Sequence, residues 1–302
     1  MQMREKIIDG HVHLYTKEDL DRVSDSLPYT LPEPHSLKNY LDKLLSGGMF
    51  PVLINNVHLS ILPDSENVFA SFRQLEELQK TCPGKYDGIS LVGTVVADPD
   101  YATSERLQHP QIVGVRIVLH DTKPEKINAG EYQSAAYQQL WQRLRHDQHI
   151  HIYAMEAESN LRVLKQLPEG NIVVIDHLGS CHAGRGANEG AYQALLQEAK
   201  RRGNVYFKGP GYRTAIETEL VAPFVASIAD MLGAEKLLLQ ASDAPHVGKD
   251  FQGRSYACIF NAADAITYTK NLEKSVCKQI DRADLSILHG AARKLFPAHI
   301  KG

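Results

Sequence analysis

Four cysteines, one tryptophan and no excess of either charge are the first things the 302-residue sequence shows, and each shortage excludes something. Cys82, Cys181, Cys258 and Cys277 lie far apart and form no CxxC pair, which argues against a disulfide framework or a thiolate metal knuckle and for free thiols. Lys and Arg total 33 against 36 Asp and Glu, so the basic excess of a dedicated nucleic-acid binder is missing. No apolar run approaches the roughly 20 residues that span a bilayer. The opening MQMREKIIDG has no apolar signal core, so the expected location is the cytoplasm. No repeat, low-complexity tract or Pro/Gly/Ser linker breaks the chain. With 43% hydrophobic residues, there is enough apolar side chain for a packed core.

What is present is alternation. Short apolar runs read as strands at Lys6–His11, Pro51–Asn55, Ile89–Val96, Val113–Val118, His149–Tyr153, Ile172–Asp176, Val205–Lys208 and Leu237–Ala241. Several are apolar almost throughout, as parallel strands covered on both faces are. Between them the apolar residues recur at helical spacing, as in Ala136, Leu140, Trp141 and Leu144, or Tyr192, Leu195, Leu196 and Ala199. A further helix runs from Leu220 to Leu232 and stops at Gly233. Asp284 is placed as the cap of a last helix carrying Leu285, Leu288, Ala292 and Leu295 on one face, with Pro297 after it. Eight such strands predict one α/β domain over residues 1–302, a (β/α)8 TIM barrel. The rival, an open doubly wound sheet, usually carries a Gly-rich turn after its first strand, and none is here. The segments Tyr15–Leu37 and His182–Gly190 read as loops at the C-terminal ends of strands, where barrels place their sites.

The chemistry gathers at those same ends. IDGHVHLY puts His11 and His13 two apart at the end of the first strand, so both point to one side and can share a metal or bind an oxyanion. NIVVIDHLG ends in Asp176 and His177, LLLQASDAPH in Ser242, Asp243 and His246, and VYFKGPGYR in Lys208 and Arg213. A barrel brings such termini around one centre. Arg116 and Arg213 offer planar, permanently charged forks suited to carboxylates, and Lys208 or Lys123 adds charge, although Lys208 would equally pair with Asp176. His58 is placed to donate to a substrate oxygen, and His151 sits deeper on the fifth strand, as a ligand or a core histidine.

The order of these motifs, from about Ile7 to Pro297, resembles the amidohydrolase superfamily, and most of all its 2-pyrone-4,6-dicarboxylate lactonase branch. IDGHVHLY is similar to the first-strand HxH, VIDHLG to the sixth-strand histidine, ASDAPH to the eighth-strand Ser-Asp-x-Pro-His signature and ILHGAARKLFP to the final helix. The resemblance implies that His11, His13 and His177 line the site and that Asp243 activates water. It also implies that Arg116 and Arg213 hold substrate carboxylates, with Tyr153 as a fifth-strand tyrosine of that branch. A bridging lysine or glutamate of two-metal members is missing from VGVRIVLHD and LVGTVVAD, so the expectation is one divalent ion, zinc or manganese, on His11, His13, His177 and Asp243 with His151 in reserve, or no metal.

Three readings follow. The first is a hydrolase that opens a lactone of a small anionic substrate, with an amidase as a variant of the same chemistry. The second is a zinc-dependent non-oxidative decarboxylase on the same residues. The third is a non-catalytic ligand-binding barrel. The expected partner is a small anion, without nucleic acid or membrane, and a homodimer is the expected assembly on base rates alone.

Overall fold

The computed structural model describes residues 4–23, 33–119, 123–245, 261–280 and 290–300. Eight parallel strands stand side by side in chain order: β1 (Glu5–Val12), β2 (Met49–Val57), β3 (Ser90–Val96), β4 (Ile112–Leu119), β5 (His149–Ala154), β6 (Ile172–Ile175), β7 (Val205–Lys208) and β8 (Leu237–Leu238). Helices alternate with them, as a parallel sheet requires for its crossovers. The expected barrel is therefore what forms.

The last seam closes differently from the other seven. The eighth strand is shorter than its apolar run predicts and stops at Leu238. Beyond it the chain meets β1 through single hydrogen bonds: Gly10 N to Gln240 O (2.9 Å), Asp243 N to His11 O (2.7 Å) and His13 N to Ala244 O (2.8 Å). Gln240 also turns its side-chain oxygen to the Ile8 amide at 2.8 Å. The ladder gives way to side-chain links because the chain already turns towards the site at Ser242.

Two apolar layers hold the barrel. One lies between the sheet and the helices. The other plugs the barrel floor, with Ile8, Leu53, Val92, Val113, Val174, Tyr206 and Leu238 packed on Ala291, Ala292, Leu295 and Phe296 of the final helix, Gly290–Leu295. The predicted cap Asp284 and the residues Leu285 and Leu288 lie outside the described residues, as do Cys258, His120 and His246. Cys82 and Cys181 are free thiols, as expected. On the helix Ala135–Arg143, Leu140 and Trp141 are buried, but Ala136 is exposed and Leu144 falls just past the end in extended backbone. The helix Gly190–Arg202 buries all four expected residues, and Thr218–Leu232 ends at Gly233 as read.

His149 sits at the start of β5 against this floor, stacked on His151 at 4.5 Å and edge-on to Phe296 at 5.9 Å. Neither of its ring nitrogens has a hydrogen-bond partner among the described residues. Burial pushes its pKa from 6.5 down to about 3, helped by the charge of Lys208. The unfolded chain therefore takes up a proton between about pH 6.5 and 3 that the folded chain refuses, and stability falls as pH drops through that window. Replacing His149 by Leu removes this penalty. The expected outcome is a slope of unfolding free energy against pH shallower by about 1.4 kcal/mol per unit between about pH 6 and 4. An unchanged slope in denaturant titrations across that range would refute the neutral floor histidine.

Candidate active site

The site begins with a change of parity in β1. Register against β2 shifts between Asp9 and Val12, one extra residue on the β1 side. Such a bulge re-aims the side chains beyond it. Before it Ile7 packs in the helix-facing core and Ile8 in the barrel floor, while beyond it His11 and His13 both turn into the mouth. Their Nε2 atoms lie 3.2 Å apart, as the HxH spacing predicts. His13 Nδ1 is 2.8 Å from the Val57 carbonyl, which can only accept, so Nδ1 carries a proton and donates to it, and Nε2 is the nitrogen turned to His11 and Asp243. Burial, followed by the charge of Lys208, holds His11 well below the ordinary histidine pKa.

Asp243 completes this corner. Its Oδ1 is 3.4 Å from both Nε2 atoms. Its Oδ2 accepts from Arg213 Nε (3.1 Å) and Nη2 (3.0 Å). Burial alone pushes the carboxyl up, but the charge of Arg213 above all outweighs it and holds it well below the carboxylate range. Asp243 has a left-handed backbone, φ 52°. Its predecessor Ser242 fixes it there by donating from N (2.8 Å) and Oγ (2.5 Å) to the buried carboxylate of Asp9. Asp9 also accepts from Tyr40 Oη (2.8 Å) and the His11 amide (3.2 Å). Burial raises the Asp9 pKa against these four donors. Sequence reading passed over Asp9, because strict alternation would put it in the mouth beside the histidines, and the bulge removes it to the seam.

His177 faces this corner from the end of β6, its ring stacked on His11 at 5.8 Å and edge-on to Tyr153 at 4.8 Å. Neither ring nitrogen has a partner among the described residues, and burial, with Arg213 next, holds the ring neutral. Its backbone is also left-handed, and so are the next three residues: φ is 51°, 55°, 85° and 57° at His177, Leu178, Gly179 and Ser180. For the three non-glycine residues this costs roughly 1–2 kcal/mol each. Strain of this kind collects at functional sites, where the surroundings enforce it.

The cations divide into two sets. Arg213, the more exposed with 22% of its side chain open, bonds Asp243 and reaches the Tyr153 hydroxyl at 3.5 Å. Arg116 and Lys208 lie deeper, paired with Asp176: Arg116 Nε and Nη2 at 3.1 and 2.9 Å from Oδ2, Lys208 Nζ at 2.9 Å from Oδ1. The pairing of Lys208 with Asp176 is thus the one its place on β7 allowed. Arg116 Nη1 also donates to the His58 carbonyl at 2.8 Å. Burial raises the Asp176 carboxyl, yet Lys208 and Arg116 prevail and keep it below its ordinary value. His58 is buried with Nδ1 3.0 Å from Ser65 Oγ, and burial beside Arg116 pushes its pKa down to about 3. His151 is turned to Lys208, Nδ1 to Nζ 3.2 Å, away from the histidine corner.

His11, His13 and Asp243 each offer a donor atom within 4.8 Å of the others, all buried. His13 Nε2, with a second imidazole and a carboxylate facing it, fits a single zinc or manganese ion. His177 stands beside this triplet without belonging to it.

Comparison with known proteins agrees with this fold. No curated protein sequence matches the chain. Among solved structures, a probable 2-pyrone-4,6-dicarboxylic acid hydrolase of Acinetobacter baumannii with citric acid bound is 18% identical over 98% of this chain and all of its own, TM-score 0.72. A candidate 2-pyrone-4,6-dicarboxylic acid hydrolase of Pseudomonas putida is 21% identical over the full length of both chains, TM-score 0.71. An amidohydrolase of Burkholderia multivorans with bound zinc is 14% identical over 96% of this chain and 99% of its own, TM-score 0.63. At these identities the likeness is one of fold. The amidohydrolase family model spans residues 8–298, every strand of the barrel but the first few residues of β1 included, and the chain belongs to the amidohydrolase family.

Proposed function

We propose that this amidohydrolase opens the ring of a lactone on a small anionic substrate by adding water to its carbonyl. The observation that carries the reading is Asp243: an ionised, buried carboxylate with one oxygen fixed by Arg213 and the other turned to the imidazoles of His11 and His13. A water held on Oδ1 attacks the carbonyl carbon while Asp243 takes its proton. His177, neutral with one N–H, donates to the oxygen that gains charge, and Arg213 steadies it. The C–O bond to the ring oxygen then breaks, and the proton on Asp243 passes to that leaving oxygen. The products are a hydroxyl group and a carboxylic acid, whose remaining proton is released to water to leave the carboxylate.

The charge of the site supports an anionic substrate. Three cations, Arg116, Lys208 and Arg213, line the mouth; Asp176 and Asp243 face them, and His11 and His177 between them are neutral. Arg213 is the cation that entering substrate meets first. Each guanidinium has five N–H donors, of which the contacts above use three. Tyr153, with its ring 5.4 and 5.7 Å from the two guanidinium carbons, forms the wall against which a ring would lie. Structures similar to this chain carry the name 2-pyrone-4,6-dicarboxylic acid hydrolase, and one has citric acid bound, which favours a carboxylate-bearing substrate. His11, His13 and Asp243 would hold a divalent ion, which when bound polarises the carbonyl or its water as a Lewis acid.

Ring opening of a panel of lactone carboxylates in 18O-water tests the reading. The expected result is one labelled oxygen in the product carboxylate. Release of CO2 without label would replace it with the decarboxylase reading. Asp243→Asn should lower kcat by about 10²–10⁴-fold with an unchanged far-UV spectrum, and full activity in this variant would remove Asp243 as the base. Arg213→Ala should raise KM for anionic substrates roughly 10–100-fold and spare neutral analogues. It should also move the acid limb of the kcat/KM profile to higher pH, since Asp243 loses the charge that holds its pKa down. A limb that stays in place would separate Arg213 from the base.

A further inference from the structure

His177 owes its place to a backbone that its sequence does not favour. Four residues in a row take positive φ, and only Gly179 does so freely. Left to local preference, the segment would relax and carry the His177 ring away from His11 and Tyr153. Three contacts oppose this. Gly179 N donates to Asp176 O at 3.0 Å, which closes the turn on itself. The backbone of Gly179 is packed so tightly that an added Cβ would lie 3.0 Å from Leu195 and 3.2 Å from Phe207. The third contact leaves the turn altogether: the Ser180 hydroxyl donates to the carbonyl of Ala154, the last residue of β5. Asn160 doubles it, with Nδ2 3.2 Å from Gly179 O and 3.2 Å from the Glu156 carbonyl. β5 also carries Tyr153, the residue against which the His177 ring stands.

We infer that Ser180 is a positioning residue for the reaction: its hydroxyl latches the left-handed turn to the end of β5, and so sets the distance between His177 and the Tyr153–Arg213 wall. The role of the latch in turnover rests on the function proposed for His177; the latch itself does not. Ser180 touches neither the reacting centre nor the histidine corner in any described contact, and its hydroxyl makes the one side-chain hydrogen bond from the turn to a neighbouring strand among the described residues. The same device appears at Asp243, where a serine hydroxyl next to a left-handed catalytic position is tied to Asp9.

Two substitutions separate the hydroxyl from the backbone. Ser180→Ala keeps the disfavoured left-handed backbone and removes the latch. Ser180→Gly removes the latch too, but takes positive φ without strain. In protein labelled with 15N-histidine, the His177 ring signals should move in Ser180→Ala and return towards the parent position in Ser180→Gly. On the substrate found by the lactone panel, kcat should fall about tenfold or more in Ser180→Ala with KM within about threefold, and recover in Ser180→Gly. Ring signals unmoved in Ser180→Ala, or equally displaced in both variants, would overturn the latch. Displaced signals with unchanged turnover would uphold the latch and overturn the part given to His177 in the reaction.

Discussion

The buried carboxylate of Asp9 is the constraint from which the site is built. β1 and β8 share no regular ladder, and a barrel cannot stand open along one edge without leaving its backbone donors and acceptors unpaired. Asp9 gathers four donors, from the His11 amide, the Ser242 amide and hydroxyl, and Tyr40 on the helix Leu37–Ser46 outside the sheet. One side chain therefore ties the first strand to the eighth and both to the outer shell. Its burial is costly, as the raised pKa records, and the four donors offset that cost. Removing any one of them would leave a buried polar group short of a partner and, at the same time, loosen the residue that precedes Asp243.

This arrangement explains why two of the site residues, His177 and Asp243, sit in backbone that side-chain-bearing residues seldom adopt. A parallel strand points alternate side chains in and out of the barrel, so its last residue cannot turn its side chain across the mouth without leaving the strand geometry. A left-handed residue in the loop beyond the strand does this in one step. The cost is local strain, and both segments meet it with a serine, Ser180 three residues after His177 and Ser242 just before Asp243, hydrogen-bonded to a fixed acceptor. At β1 the same problem has a different solution, a bulge, which brings His11 and His13 inward with less distortion.

These differences decide what could be read from the sequence. The eight apolar runs and the order of the strands were legible, because burial on both faces leaves a continuous apolar signature. His11 and His13 were legible together, because two residues apart on a strand is a strong geometric statement. Asp9 was not, because the bulge that separates it from the histidines leaves no mark in composition or spacing. Arg116 and Lys208 were legible as cations at strand ends and Asp176 as a partner for Lys208, but not that Arg116 shares the same carboxylate, with both cations within 3 Å of it. The short β8 was overestimated for a related reason. Leu239 and Ala241 are as buried as strand residues, and hydropathy cannot distinguish burial in a ladder from burial beside one. Ser180 and Asn160 carry no signal at all, since hydrogen bonds from small polar side chains to distant carbonyls have no periodicity.

The electrostatics of the mouth then follow from burial. A histidine removed from water and set beside fixed cations gives up its proton, so His11, His58, His151 and His177 enter the site as neutral rings. Neutral rings can donate one hydrogen bond and accept another, and they can bind a metal ion, but they add no charge. Permanent charge is left to Arg116, Arg213 and Lys208 against Asp176 and Asp243. Because Asp176 is held between two cations and Asp243 faces one, the two carboxylates are not equivalent. Asp176 is locked in a dry pair network with both oxygens engaged by cations. Asp243 keeps Oδ1 turned to the histidines and has its pKa set chiefly by the single, partly exposed Arg213. On the proposed function, a substrate anion that draws on Arg213 would weaken its hold on Asp243 and raise the basicity of that carboxylate with the substrate in place. Binding of the anion and activation of the proposed base would then be coupled through one guanidinium, which a neutral substrate has no means of engaging in the same way.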